Sequence, residues 1–211
     1  MDLSKQIADA KKNVQVIKSL GKGGTLLDCG ANIGEVSLNC AEQFQTVWAI
    51  EAHPDTYGVL CERVAGISNV ITGNFAVASN GGLTMFASSP SPCSTGCTVR
   101  PTRRLKKEDY YKEVVTISLQ ELMIMAKPRV IKMDIEGCEY EVLESRPELT
   151  GVDALVVEFH NLTNAKYRER LTMIINWLRE QDLWPTSPPK LSPKWSLETV
   201  VFKKRNRWPS Q

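Results

Sequence analysis

The sequence predicts an α/β fold in which helices cover both faces of a mainly parallel β-sheet. Apolar segments of strand length alternate with helix-like segments along most of the 211 residues. The first predicted strand runs directly into a turn that contains Gly30 and Gly34. Polar residues also stand at the ends of the predicted strands: Asp28, Glu51, Asn74, Asp134 and Glu158. Right-handed crossovers bring such ends to one edge of the sheet, where open α/β sheets bind ligands.

The predicted elements follow one another along the chain with ordinary lengths. Strands are predicted near residues 26–29, 47–51, 70–75, 114–118, 130–134, 153–158 and 197–203. Helices are predicted near residues 4–19, 33–43, 55–65, 119–126, 137–145 and 164–180. Ser118 and Glu121 have the spacing of a capping box, so the fourth helix should begin after Ser118.

The chain length is that of one domain over residues 1–211, because a chain of this size can bury one substantial core. Residues 1–22 should form an N-terminal helix, and residues 183–203 a C-terminal hairpin. Between 79 and 113 the alternation breaks down, which indicates an insertion that is either a lid over the site or disordered. Within it, residues 83–87 could form a short strand paired with residues 97–100 or 114–117.

The turn after the first strand predicts a small-molecule site. Glycine allows a tight turn and a close approach of the backbone, and the following helix presents free amide groups. Glu51 follows Gly30 by about 20 residues, a spacing that suits an acidic partner for ribose hydroxyls. The dinucleotide fingerprint G-x-G-x-x-G is not matched, and Asp28 would repel a pyrophosphate. The pattern therefore favours S-adenosylmethionine over a dinucleotide.

Three motifs together resemble those of FkbM-type methyltransferases over about residues 26–160. They are Asp28-x-Gly30-Ala31-Asn32-x-Gly34, Glu51-Ala52-His53-Pro54 and Lys132-Met133-Asp134-Ile135-Glu136-Gly137-Cys138-Glu139. Ala52 stands where the family usually has proline. The resemblance implies a three-layer Rossmann-like class I methyltransferase fold, with a seven-stranded sheet of order 3-2-1-4-5-7-6 and an antiparallel last strand. It also implies S-adenosyl-L-methionine as the cofactor.

The residues expected to bind the cofactor lie at the first three strand ends and at the end of a fourth. They are Asp28, Gly30, Ala31, Asn32, Gly34, Glu51, Ala52, Asn74 and Asp134. Asp28 should face the ammonium group of the methionine portion, directly or through water. Glu51 should bind the ribose, and Asn74 should bind the edge of the adenine or serve only as a turn residue.

The residues expected to act on the methyl acceptor follow the strands near 130–134 and 153–158. Asp134, His160 and Lys132 are the predicted catalytic residues, and Glu136, Glu139 and Glu158 should bind the substrate. An unperturbed histidine titrates near neutrality, so His160 could be the general base, or it could be a loop histidine with a structural hydrogen bond. Glu139 could instead favour a helix N-terminus, and Lys132 could form a structural ion pair.

No metal site is predicted. Asp134, Glu158 and Asn161 could hold Mg²⁺, as acidic and amide oxygens do in catechol-type methyltransferases, but the resemblance does not require a metal. Cys93 and Cys97 form a close pair without a second pair or a nearby histidine, so zinc is not expected there.

The charge balance does not favour nucleic acid as the partner, because 26 basic residues stand against 24 acidic ones. Two basic clusters leave an anionic or nucleic-acid contact open beside ordinary solvated surface. They comprise Arg100, Arg103, Arg104, Lys106 and Lys107, and Lys203, Lys204, Arg205 and Arg207. The sequence has no apolar run of membrane-spanning length and no signal-peptide core, so a cytoplasmic location is expected.

The function expected from the resemblance is O-methylation of a hydroxyl group on a small molecule, a sugar or glycan, or a secondary metabolite. Two alternatives remain at this point: a nucleic-acid-associated methyltransferase, and a binding module that keeps the cofactor fold without its chemistry. The Asn/Asp-Pro-Pro-Tyr motif of amino-directed methyltransferases is absent from the sequence.

Overall fold

A computed structural model describes residues 3–88, 110–189, 191, 194 and 196–205. The helices are α1 (Leu3–Lys18), α2 (Glu35–Cys40), α3 (Pro54–Val64), α4 (Leu119–Ala126), α5 (Glu139–Glu144) and α6 (Ala165–Glu180), with a 3-10 turn at Ala41–Gln43. The strands are β1 (Thr25–Cys29), β2 (Thr46–Ile50), β3 (Val70–Gly73), β4 (Ala76–Ala78), β5 (Gly82–Ser88), β6 (Tyr110–Ser118), β7 (Val130–Met133), β8 (Ala154–Phe159), β9 (Leu183–Pro185) and β10 (Glu198–Lys204).

The main sheet has seven strands in the order β3-β2-β1-β7-β8-β10-β9. Strands β3, β2, β1, β7 and β8 run parallel to one another. Strand β10 lies between β8 and β9 and is antiparallel to both. The predicted α/β architecture with a mostly parallel seven-stranded sheet is therefore confirmed.

Alternate residues of the central strands pack into two different layers, which explains their nearly continuous apolar sequences. Leu27 of β1 and Ile131 of β7 pack in one cluster with residues of α4, α5 and α6. Their neighbours Leu26 and Val130 pack in the other cluster, with residues of α1 and α2. Successive strand side chains point to opposite faces, so both faces of the sheet are covered by helices.

A second sheet of order β4-β6-β5 corrects part of the predicted strand assignment. The strand predicted near 114–118 begins at Tyr110 and belongs to this second sheet, where Leu83 of β5 lies opposite Val115 of β6. The pairing is the second of the two that the sequence left open. The seventh strand of the main sheet is instead β9, a short strand inside the predicted hairpin.

Several predicted features lie outside the described residues. They are the centre of the insertion, Cys93 and Cys97, the basic cluster between Arg100 and Lys107, and Arg207. Among the described residues, no helix combines the length and the apolar character needed to cross a membrane.

Candidate active site

The turn after β1 is pressed against the loop that follows β7. The backbone amides of Gly30 and Ala31 both donate to the carbonyl of Ile50, at 2.9 Å each. Gly30 has a φ of +74°, and a Cβ atom there would lie 1.8 Å from the carbonyl oxygen of Asp134. Only glycine fits this position, because the left-handed backbone and the close contact both exclude a side chain. The turn and Asp134 are therefore held together.

Glu51 joins the glycine turn to the loop after β2. Its Oε2 accepts a hydrogen bond from the amide of Asn32 and its Oε1 one from the amide of His53, both at 2.8 Å. Burial raises the pKa of Glu51, although these two hydrogen bonds act in the opposite direction. Each carboxylate oxygen has a further lone pair, so the side chain can also accept from ligand hydroxyls.

Asn74 supports the same loop from the end of β3. Its side-chain amide donates to the carbonyls of Glu51 and Ala52, at 2.8 and 3.1 Å. Both bonds are made by its side-chain nitrogen, and the contact of Asn74 with the adenine stays a prediction. Asn74 fixes the backbone that carries Glu51.

Asp28 and Lys132 form a buried ion pair beneath the turn. Asp28 is fully buried, accepts a hydrogen bond from Ser37 at 2.7 Å, and its Oδ1 lies 3.4 Å from Lys132 Nζ. Lys132 also donates to the carbonyl of Gly30, at 2.7 Å. Burial alone lowers the pKa of Lys132, but the charges of Asp28 and Asp134 outweigh it and hold this pKa above its ordinary value. The ion pair thus stabilises the glycine turn through the hydrogen bond from Lys132 to Gly30.

His160, just after β8, is oriented by a buried carboxylate. Its Nδ1 lies 3.0 Å from Oε1 of Glu139, which has no exposed surface. Glu139 also accepts hydrogen bonds from the amides of Ile135 and Gly137, at 3.0 to 3.2 Å. The hydroxyl of Tyr140 donates to the carbonyl of His160, at 2.7 Å. These contacts fix the ring and leave Nε2 facing the site.

Three carboxylates surround Nε2 of His160. Oxygens of Glu136, Glu158 and Asp134 lie at 3.4, 3.8 and 4.0 Å from it. Burial alone lowers the pKa of His160, but the hydrogen bond to Glu139 and the surrounding negative charges raise it to about 10. Burial and the charge of Asp134 raise the pKa of Glu158, against the opposing charges of His160 and Lys132. We call Asp134, Glu136, Glu158 and His160 the acidic cluster.

The predicted site residues thus fall into two adjoining groups, the glycine turn with its supports and the acidic cluster. Two of them are buried: Lys132 is 4% exposed, and Glu139 is fully buried behind His160. Sequence reasoning missed Ser37 as the partner of Asp28, and no motif marks it. Glu158 and His160, both predicted on the acceptor side, lie together because they are two residues apart on an extended strand.

Solved structures with low sequence identity have a similar fold. Trm5b from Pyrococcus abyssi has a TM-score of 0.55 at 13% identity, over 92% of this chain and 48% of that one. Sp1610 from Streptococcus pneumoniae was solved with S-adenosyl-L-methionine. It has a TM-score of 0.53 at 14% identity, over 95% of this chain and 75% of that one. Precorrin-6y C5,15-methyltransferase from Geobacter metallireducens has a TM-score of 0.52 at 11% identity, over 93% of this chain and 89% of that one. At these identities the likeness concerns the fold alone.

Sequence comparison is more specific. The hexuronic acid methyltransferase AglP from Haloferax volcanii is 32% identical over 166 residues, which are 74% of this chain and 65% of that protein. The match therefore spans slightly less than two thirds of the relative's length. The model of the methyltransferase FkbM domain matches residues 28–182. That match covers most of the chain and includes both groups of site residues, and the chain belongs to the FkbM methyltransferase family.

Proposed function

We propose that the protein is an S-adenosylmethionine-dependent methyltransferase that methylates a hydroxyl group of a sugar. One observation carries the proposal: Gly30 of the glycine turn packs directly against the carbonyl of Asp134, so the glycine turn adjoins the acidic cluster. Membership of the FkbM family supports the reaction. The similarity to a hexuronic acid methyltransferase supports a sugar, and a uronic acid in particular, as the acceptor.

The residues around the glycine turn suit S-adenosylmethionine. Oδ1 of Asn32 is buried and accepts no hydrogen bond from any residue in the described part of the chain, so it can receive an amino donor of the cofactor. Glu51 can accept from the ribose hydroxyls, and Gly30, Ala31 and Gly34 shape the turn. When bound, the cofactor supplies a methyl group on a positively charged sulfur. Asp28 acts through Lys132 and Ser37, which hold the turn in place, rather than by direct contact.

The acidic cluster suits the acceptor side of the reaction. A hydroxyl becomes a good nucleophile when a nearby base removes its proton, and the cluster offers carboxylates at the sheet edge for this task. Glu136 and Glu158, which are 28% and 21% exposed at their side chains, can also accept hydrogen bonds from sugar hydroxyls. A pKa near 10 keeps His160 protonated at neutral pH. We therefore propose that the carboxylates remove the proton of the acceptor hydroxyl, and that His160 and Glu139 orient the acidic cluster.

The fold supports the finer assignment as well. The strand order β3-β2-β1-β7-β8-β10-β9 corresponds to the order 3-2-1-4-5-7-6 expected of a class I methyltransferase once the second sheet is set aside. We propose that this arrangement forms one catalytic domain, with the second sheet as its insertion.

An acceptor screen tests the function. Purified protein is incubated with S-adenosylmethionine labelled in the methyl group and with glucuronate, galacturonate, glucose and a mixed RNA. We expect a labelled methyl ether on a uronic acid, S-adenosylhomocysteine in equal amount, and no label in RNA. Glu136→Gln should slow the transfer by about 10²- to 10⁴-fold while cofactor binding is kept. Absence of S-adenosylmethionine binding by calorimetry would refute the proposal.

A further inference from the structure

Asp134, Glu158 and His160 of the acidic cluster have the composition of a metal site. Each offers one ligand atom, and the three atoms lie within 4.8 Å of one another. We propose that these residues hold a divalent transition-metal cation, Mn²⁺ or Zn²⁺, at the acceptor end of the site. The cation's catalytic role rests on the proposed function, whereas its binding does not.

The backbone brings the three side chains together. Strands β7 and β8 are parallel, with Met133 opposite Val157, so the next residues, Asp134 and Glu158, are neighbours at the strand ends. Glu158 and His160 are two residues apart on the extended chain and therefore point to the same side. The site is thus built from strand ends rather than from mobile surface side chains.

The distances are close to those of a coordinated ion. His160 Nε2 lies 3.8 Å from Oε1 of Glu158 and 4.0 Å from Oδ1 of Asp134. A cation at roughly 2.1 Å from each ligand spaces neighbouring ligand atoms about 3 to 3.5 Å apart. Small side-chain rotations that move each ligand inward by a few tenths of an ångström would complete the coordination.

Glu139 supplies an independent observation, because it is not one of the three ligands. It is fully buried and lies 3.0 Å from Nδ1 of His160, on the side away from the cluster. A carboxylate that holds the second nitrogen of a histidine is the usual outer partner of a metal-binding imidazole. It orients the ring and makes Nε2 the nitrogen that would face the cation.

Asp134 also has an unused oxygen. Its Oδ1 is buried and accepts no hydrogen bond from any residue that the structure describes. The nearby cation Lys132 lies 3.8 Å from Asp134, but it is closer to Asp28 and donates to the carbonyl of Gly30. A cation between Asp134 Oδ1 and His160 Nε2 would take the place of the proton that Nε2 carries in the metal-free protein.

The ligand types select the metal class. Carboxylates suit Mg²⁺, Ca²⁺ and Mn²⁺, while imidazole suits Zn²⁺ and other transition metals, so a mixed set favours Mn²⁺ or Zn²⁺. This proposal departs from the sequence-based expectation of no metal, and it uses His160 where the Mg²⁺ alternative had Asn161. The side-chain nitrogen of Asn161 instead lies beside Gly137.

Three protein ligands leave coordination positions open for an acceptor hydroxyl. A cation there withdraws electron density from the hydroxyl oxygen and lowers its pKa. The O–H bond then breaks, its electron pair stays on the acceptor oxygen, and the proton passes to the carboxylate of Glu136, which stands beside the three ligands.

Calorimetric titration tests the site without relying on activity. Protein freed of metal with EDTA is titrated with MnCl₂ and, separately, with ZnCl₂, after circular dichroism has verified its fold. We expect one equivalent of at least one metal to bind. Asp134→Asn and Glu158→Gln should each weaken binding by about 10- to 100-fold or more, and Glu139→Gln by about 10- to 100-fold. Glu144→Gln, which removes a carboxylate bound to Arg170 outside the cluster, should leave the affinity unchanged.

Two results would overturn the inference: no saturable binding of either metal, or equal affinity in the wild type and the Asp134→Asn/Glu158→Gln double variant. Methyl transfer at full rate in EDTA, with the protein verified to be metal-free, would remove the catalytic role of the cation and leave the methyltransferase intact. Metal binding without binding of S-adenosylmethionine would instead refute the proposed function and support the metal site.

Discussion

The two groups of residues differ in how their charges are balanced, although each keeps a buried side-chain oxygen without a hydrogen bond among the described residues. Around the glycine turn, Glu51, Asn74 and Lys132 are all committed to backbone groups. In the acidic cluster, carboxylates face one another and a single histidine, and Asp134 keeps a buried oxygen without a hydrogen bond among the described residues. The first group is a preorganised cradle, while the second has excess negative charge. Substitutions of the residues that support the glycine turn should therefore lower the stability of the fold, and substitutions in the acidic cluster should chiefly change ligand binding.

Lys132→Met should give the largest loss of stability. It leaves the carboxylate of Asp28 buried without its cation, which costs about 3 to 5 kcal/mol. Urea unfolding of the variant measures the loss. Adding Asp28→Asn should recover most of it, because the double variant buries no unpaired charge. Equal stability of the single and double variants would show that Lys132 acts through something other than Asp28.

Gly30→Ala should be nearly as damaging, because the new Cβ would meet the carbonyl of Asp134 at 1.8 Å. Left-handed strain and the overlap together should cost roughly 2 to 5 kcal/mol of unfolding free energy. Gly23→Ala is the matched control. Gly23 has a φ of +88°, and a Cβ there would have no described atom within 4 Å, so only the strain of about 1 to 2 kcal/mol should appear. Equal losses at both glycines would contradict the close packing.

Asn74→Ala should have an intermediate effect. It removes two hydrogen bonds to the loop that carries Glu51. The two carbonyls left without this donor should lower the free energy of unfolding by about 1 to 3 kcal/mol. The affinity for S-adenosylmethionine should fall as the loop loosens. Asn39→Ala, on the exposed surface of α2, should change stability by about 0.5 kcal/mol or less. Unaltered cofactor affinity in Asn74→Ala would show that the loop does not need this support.

The last prediction concerns pH dependence and the charge of His160 in metal-free protein. Its pKa of about 10 in the folded state exceeds the ordinary value of 6.5. The stability gained from its charged ring is therefore complete below pH 6.5 and is lost as the pH rises towards 10. His160→Gln should flatten the pH dependence of unfolding in this window. In an NMR titration, a ring signal of His160 that moves near pH 6.5 would restore His160 as a candidate base.

The sequence predicts which residues meet at the edge of the sheet, but not how deeply each side chain is buried. Asp28, Glu51 and Asp134 could be placed together because parallel strand ends must meet at one edge. The sequence leaves Lys132 open as a catalytic residue or as part of a structural ion pair, since the local sequence does not show that it lies beside Asp28. The sequence likewise leaves Glu139 open as a substrate-binding residue or as a favourable charge at a helix N-terminus, because its burial depends on packing between α5 and β8.

The second sheet shows another kind of limit. Residues 114–118 have a strand pattern, yet this pattern does not say which sheet they join. The answer depends on the antiparallel register with β5, which is a long-range pairing that local periodicity does not encode.

The position of β10 has a consequence for the order of synthesis. Thr199 lies opposite Glu158 and donates a hydrogen bond to it, at 3.3 Å. Until residues 198–204 leave the ribosome, β8 is an open edge strand, and the carboxylate of Glu158 has no such neighbour. The glycine turn draws only on earlier residues, so the nascent chain can assemble the cofactor cradle first and completes the acceptor side only when β10 docks.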